Sequence, residues 1–148
     1  MSDCLKRFIP DNPNYKLNEN MIGIIKSFDW YGDNTEIEVN DIIQFVDSGA
    51  NFESVACPFC KSDLMDWWGD AMDKAYSEEN RFENLNINVP CCDKETTLHN
   101  LIYYFPQGFY KTMIEMRVFD DNTVDTEKIC GQLFEKTKEK WRVIDVCY

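Results

Sequence analysis

The sequence predicts an α+β fold in which two strand–helix–strand halves flank a cysteine-bearing insert. Three observations carry this. The order strand, helix, strand is written twice, over 1–50 and again over 106–148. Period-two alternation of apolar and polar residues marks strands in both halves. Four of the seven cysteines fall in the stretch between, 51–105. A chain of 148 residues is the length of one compact domain. The halves share an order of elements and no sequence repeat.

The first half opens with "CLKRFI" (4–9), a short strand ended by Pro10, and a turn cluster at 11–14. A helix follows from Asn18. Met21, Ile24, Ile25 and Phe28 recur on one face, Asn18 suits an N-cap, and Glu19 suits the positive end of the helix dipole. Over 35–45 the period switches to two: Ile37, Val39, Ile43 and Phe45 share a face. Asp41 interrupts that face and marks a bulge. Turns are expected over 47–51 and over 120–125. In the second half, 109–119 alternates as a strand. A helix from Thr126 carries Ile129, Cys130, Leu133, Phe134 and Thr137 on one face, and 141–148 is the last strand.

Two split β-α-β halves of this kind make the ferredoxin-like sandwich: four antiparallel strands, both helices on one face, the other face solvated.

The insert holds the chemistry. "FESVACPFC" (52–60) runs as a strand into Cys57 and Cys60. "DLMDWWGDAMDKAY" (63–76) is an amphipathic helix, with Asp63 as N-cap and Trp67 and Trp68 as packing residues. "ENLNINVPCC" (83–92) is a strand with Leu85, Ile87 and Val89 inward, delivering Cys91 and Cys92.

Thiolates are favoured ligands of structural zinc, which takes four in a tetrahedron. A Cys-x-x-Cys turn puts two sulfurs on one ion, and a second turn from a distant strand closes the site. The expectation is a zinc-ribbon-like sub-domain with structural zinc on Cys57, Cys60, Cys91 and Cys92. Cys91 and Cys92 are adjacent, so one of them ligates alone unless the turn is strained. His99, the single histidine, and Asp93 are then alternative fourth ligands. Cys4, Cys130 and Cys147 read as small buried hydrophobes.

"CPFC" also resembles the active-site motif of glutaredoxins. That resemblance implies a thiol–disulfide oxidoreductase in which Cys57 attacks, Cys60 resolves, and Pro90 of "NVP" is cis. Residues 61–89 have room for one helix and one strand, one of each fewer than that fold needs.

A longer likeness covers residues 44 to about 119. "CPFC", the helix "DWWGDAMDKAY", the turn "PCC" and the segment from Tyr103 or Tyr104 through Pro106 and Gly108 to Phe109 occur in order. The chain in this resembles a family of small bacterial proteins of uncharacterised function. The resemblance implies a bacterial source and no particular activity.

Charge narrows the partners. The net charge is −12. Residues 1–54 carry 4 basic and 10 acidic side chains, 55–102 carry 4 and 9, and 103–148 carry 7 and 8. That argues against sequence-independent nucleic-acid binding, which needs cations to displace counterions. No apolar run is long enough to span a membrane, and the N-terminal stretch lacks a signal peptide's apolar segment, so a cytoplasmic protein is expected. No phosphate-binding glycine loop or nucleophile elbow is present. Two classes of function remain. One is a non-enzymatic acidic interaction module with structural zinc, in the manner of an immunity protein neutralising a basic partner. The other is the oxidoreductase on Cys57 and Cys60.

Overall fold

A computed structural model describes residues 4–47, 53–104, 106–118 and 124–147. The turns expected over 47–51 and 120–125 lie largely outside the described residues. Among the described residues the fold is mixed α/β with three α-helices and antiparallel sheets. The strands β1 (Cys4–Pro10), β2 (Thr35–Val46), β9 (Gly108–Val118) and β10 (Trp141–Cys147) form one sheet in the order β10-β1-β9-β2. Every neighbouring pair in it is antiparallel.

Helices α1 (Glu19–Lys26) and α3 (Thr126–Thr137) connect β1 to β2 and β9 to β10. Each begins at a side-chain cap. Asn18 accepts from the Met21 N–H, and Asp125 accepts from the Lys128 N–H. Helix α3 ends at Lys138, whose left-handed φ of 64° stops the chain from continuing. Ile25 of α1 and Ile129 and Leu133 of α3 form one core with Phe8, Ile114 and Trp141 of the sheet. Phe134, expected on that buried face, is 47% exposed.

Successive strand residues point to opposite faces, so Ile9 faces away from Phe8. That second face is not simply solvated. Ile9, Val46, Met113, Ile144 and Val146 are buried there, and an Arg7–Glu115 ion pair at 3.0 Å lies beyond them.

The expected bulge in β2 is present. Between the pairs Val39↔Thr112 and Gln44↔Tyr110, β2 advances five residues while β9 advances two. The bulge re-aims the strand. Before it, Ile37 and Val39 pack with the helices. At its end and beyond, Ile43 and Phe45 pack into the insert.

The insert is built from short pieces. β3 (Ser54–Ala56) pairs with β8 (Ile102–Tyr104), β4 (Tyr76–Ser77) with β5 (Arg81–Phe82), and β6 (Asn86–Asn88) with β7 (Glu95–Thr97). Helix α2 spans Met65–Ala75, and a 3₁₀ turn spans Leu98–Asn100. The N-cap of α2 is Leu64 rather than the expected Asp63, which lies one residue earlier and accepts from the Met65 N–H at 2.9 Å. Val55, Leu64, Ala71, Phe82, Val89 and Leu98 form the insert's core, completed from outside by Ile43 and Phe109 of the large sheet. Trp68 packs against Phe45 and donates to Tyr103 Oη, which itself donates to the Leu98 carbonyl at 2.6 Å. No helix among the described residues is long and apolar enough to cross a membrane.

Cys4 departs from its reading as a buried hydrophobe: it is disulfide-bonded. Its Cα partners in the sheet are Cys147 and Val118.

Candidate metal centre

Two turns bring four sulfurs together. The first runs from Cys57 to Ser62: the Cys57 N–H donates to the Ser62 carbonyl at 2.9 Å, and the Lys61 N–H to the Cys57 carbonyl at 3.0 Å. The second runs from Val89 to Lys94: the Val89 N–H donates to the Lys94 carbonyl at 3.0 Å, and the Asp93 N–H to the Val89 carbonyl at 2.8 Å. The same two bonds recur at the same spacing. Each turn is closed by a left-handed residue, Lys61 at φ 65° and Asp93 at φ 54°. The turns are therefore equivalent, and they align "CPFCKS" with "VPCCDK". Cys92 stands where Cys60 stands. Val89, fully buried, stands where Cys57 stands, and Cys91 takes the place of Phe59. The second turn thus carries its extra sulfur two residues later, which is why its cysteines are adjacent.

The sulfurs of Cys57, Cys60, Cys91 and Cys92 all lie within 4.8 Å of one another. Cys57 to Cys92 is 3.7 Å, Cys60 to Cys91 is 3.2 Å, and Cys91 to Cys92 is 3.9 Å. A tetrahedron with zinc–sulfur bonds of about 2.3 Å has edges of about 3.8 Å. Two of these separations meet that value, and the short one opens between two exposed side chains, Cys60 and Cys91. The donor set fits a thiophilic ion, and the sulfurs of both adjacent cysteines lie within the cluster.

The surroundings favour thiolates on the first turn. Burial opposes ionisation of Cys57, but the backbone N–H groups of Cys60 and Phe59 outweigh it and lower its pKa. The Phe59 N–H lies 3.4 Å from Cys57 Sγ. The Ser62 hydroxyl, 3.2 Å away, and its backbone N–H hold Cys60 down at about 6. The protons stay on the second turn. Cys91, hydrogen-bonded to Cys60 and desolvated, is pushed up to about 12, and burial followed by Cys57 raises Cys92. A contact also ties the turns together: the Lys94 ammonium sits 5.2 Å from the centre of the Phe59 ring.

His99 and Asp93, the alternative fourth ligands, are not among these groups. His99 is buried at the joint with the large sheet. Its Nδ1 accepts from the Phe109 N–H at 2.9 Å, and its carbonyl accepts from Arg142 Nη1 at 3.1 Å. Burial first, then the Arg142 charge, push its pKa down to about 3, against a pull from the Asp11 and Pro10 backbone. A Cβ on Gly108 would come within 2.9 Å of the His99 ring and 2.8 Å of Ile9, so glycine is what lets the histidine ring approach the strand this closely.

The features implied by the glutaredoxin resemblance are not met. Cys57 is 0% exposed and sits in a turn, with α2 starting only at Met65. No peptide bond among the described residues is cis, so Pro90 is trans.

The sequence reading missed the equivalence of the two turns. The signal was available as Pro and Cys two residues apart in both "CPFCK" and "VPCCD". It also missed the His99–Gly108–Arg142 joint, for which the sequence carries no local signal.

Compared with known proteins, the chain matches no family model, no curated protein and no solved structure.

Proposed function

We propose that the chain is a non-enzymatic, acidic interaction module: a ferredoxin-like frame carrying a zinc-ribbon-like insert clamped by structural zinc on Cys57, Cys60, Cys91 and Cys92. The observation that carries the reading is the convergence of four sulfurs from two equivalent turns. The sheet order, with α1 and α3 sharing a core on one face, supports the frame. The insert's strands are two or three residues long, too short to hold themselves. A structural metal supplies folding free energy there, on the order of 10 kcal/mol or more. A buried Cys57 suits a ligand and is unreachable as a nucleophile.

Acidity supports the partner class. Between residues 63 and 83 the chain carries seven carboxylates, all exposed, against Lys74 and Arg81. A small acidic protein with such a segment suits a basic protein partner, as an immunity-type neutraliser requires.

The test is metal content by elemental analysis on reduced protein purified without a metal-affinity column. About one zinc per chain, with four thiols unmasked by a chelator, is expected. Absence of metal together with four freely titrating thiols in the native protein would sink the zinc assignment.

A further inference from the structure

Strand β6 forms hydrogen bonds along one edge only. Its hairpin with β7 is flanked by two bonds just outside the strands, the Leu98 N–H to the Leu85 carbonyl and the Val89 N–H to the Lys94 carbonyl. The register Ile87↔Thr96 lies between these, in phase with both. Odd-numbered residues thus bond toward β7, and the backbone groups of Asn86 and Asn88 point to the other edge. The Asn86 N–H is already taken by Asn84 Oδ1 at 3.0 Å. The Asn86 carbonyl and both backbone groups of Asn88 face outward, and β6 and β7 are a two-stranded sheet with no third strand among the described residues.

That edge is exposed and borders a groove of about 690 Å³ whose other wall is α2. The size lies within the roughly 300–1,000 Å³ usual for binding clefts. Trp67, Ala71 and Ile87 provide apolar surface in it, and its charged lining is Asp70 and Glu83 against Lys74, a net negative charge.

We propose that this groove is the interaction surface, and that it takes an extended segment of a protein partner bearing Lys or Arg on alternate residues. The segment adds to the β6 edge as a third strand. Its backbone meets Asn86 and Asn88, one row of its side chains covers Trp67 and Ala71, and its cations meet Asp70 and Glu83. This deepens the interaction-module reading and rests on it. Because β6 runs directly into the Val89–Lys94 turn, the metal centre holds the edge in register, so metal and partner binding are coupled.

The probe is a fluorescein-labelled, end-capped heptapeptide of alternating lysine and valine, used with the metal-loaded full chain. The expected result is saturable binding that slows amide exchange at Asn88. Binding should weaken at least tenfold when alternate peptide nitrogens are methylated, and at least tenfold in the double variant Asp70→Lys, Glu83→Lys with its metal content unchanged. Chelating the metal should abolish it. Equal binding of the methylated peptide, or protection at β2 or β10 instead of β6, would overturn the groove while leaving a basic-partner module standing. If polylysine too fails to bind at low salt, both the groove and the interaction-module reading fall.

Discussion

The four-stranded frame and the insert solve the same problem by opposite means. The frame's strands run seven to twelve residues and its sheet shares an apolar core with α1 and α3. The insert's strands run two or three residues, and its core is completed by Ile43 and Phe109, lent by β2 and β9. A frame of this size holds itself by burial. The insert needs a clamp, and its sulfurs are where a clamp would go. Small folds without enough core recruit metal, and on the proposed reading the same rule would operate in this insert.

Removing the metal breaks the comparison most sharply. Chelation, or Cys92→Ser, should erase slow amide exchange across β6 and β7 while leaving β1 and β9 protected, since on the order of 10 kcal/mol is withdrawn from the insert alone. Simultaneous loss in both regions would mean that the two are one cooperative unit.

Phe109 is the next lever. Its ring lies 5.0 Å from both Phe45 and Phe82 and is fully buried. Phe109→Ala should cost about 3–5 kcal/mol by urea unfolding. A loss below about 1 kcal/mol would show that the seam is not packed as a core.

A smaller effect is pH-dependent. His99 is held neutral, with its pKa lowered from 6.5 to about 3. Below pH 6.5 the unfolded chain takes a proton that the folded chain refuses, so stability should fall with pH from about 6.5 down to about 3. The slope from this one group is about 1.4 kcal/mol per pH unit at most. His99→Gln, which can still accept from Phe109, should unfold with a shallower acid dependence than the native chain. Parallel curves for the two would exclude His99 as the source.

The least change is expected at the frame's surface. Lys128 and Asp29 pair at 3.2 Å with both side chains half exposed or more, and Lys128→Ala should move stability by less than about 1 kcal/mol.

What the sequence disclosed follows the same division. In the frame, local signals agree with the fold: the Asn18 cap, the Asp41 bulge, and the periods of β2, β9 and α3 could all be read from neighbours in the chain. In the insert, the four sulfurs could be read as a pair of pairs because metal ligation constrains spacing. The hairpin of β4 and β5, with Arg81 at a left-handed φ of 54°, had no glycine or Asn-Gly turn to announce it. The burial of His99 depends on Gly108 and Arg142, contacts made only after the insert folds back on the sheet. The solvated outer face was misjudged for a related reason. Alternation tells which residues share a face and says nothing of what will cover it.

The rung Val46↔Gly108 closes the β2–β9 ladder at the point where the chain leaves for the insert and comes back. Sixty-odd residues are thus strung between two neighbouring positions that a tight hairpin could join. Such an excursion can lengthen, shrink or be exchanged without rethreading the sheet beneath it. The architecture is a socket, and the cysteine-bearing unit is its current fitting.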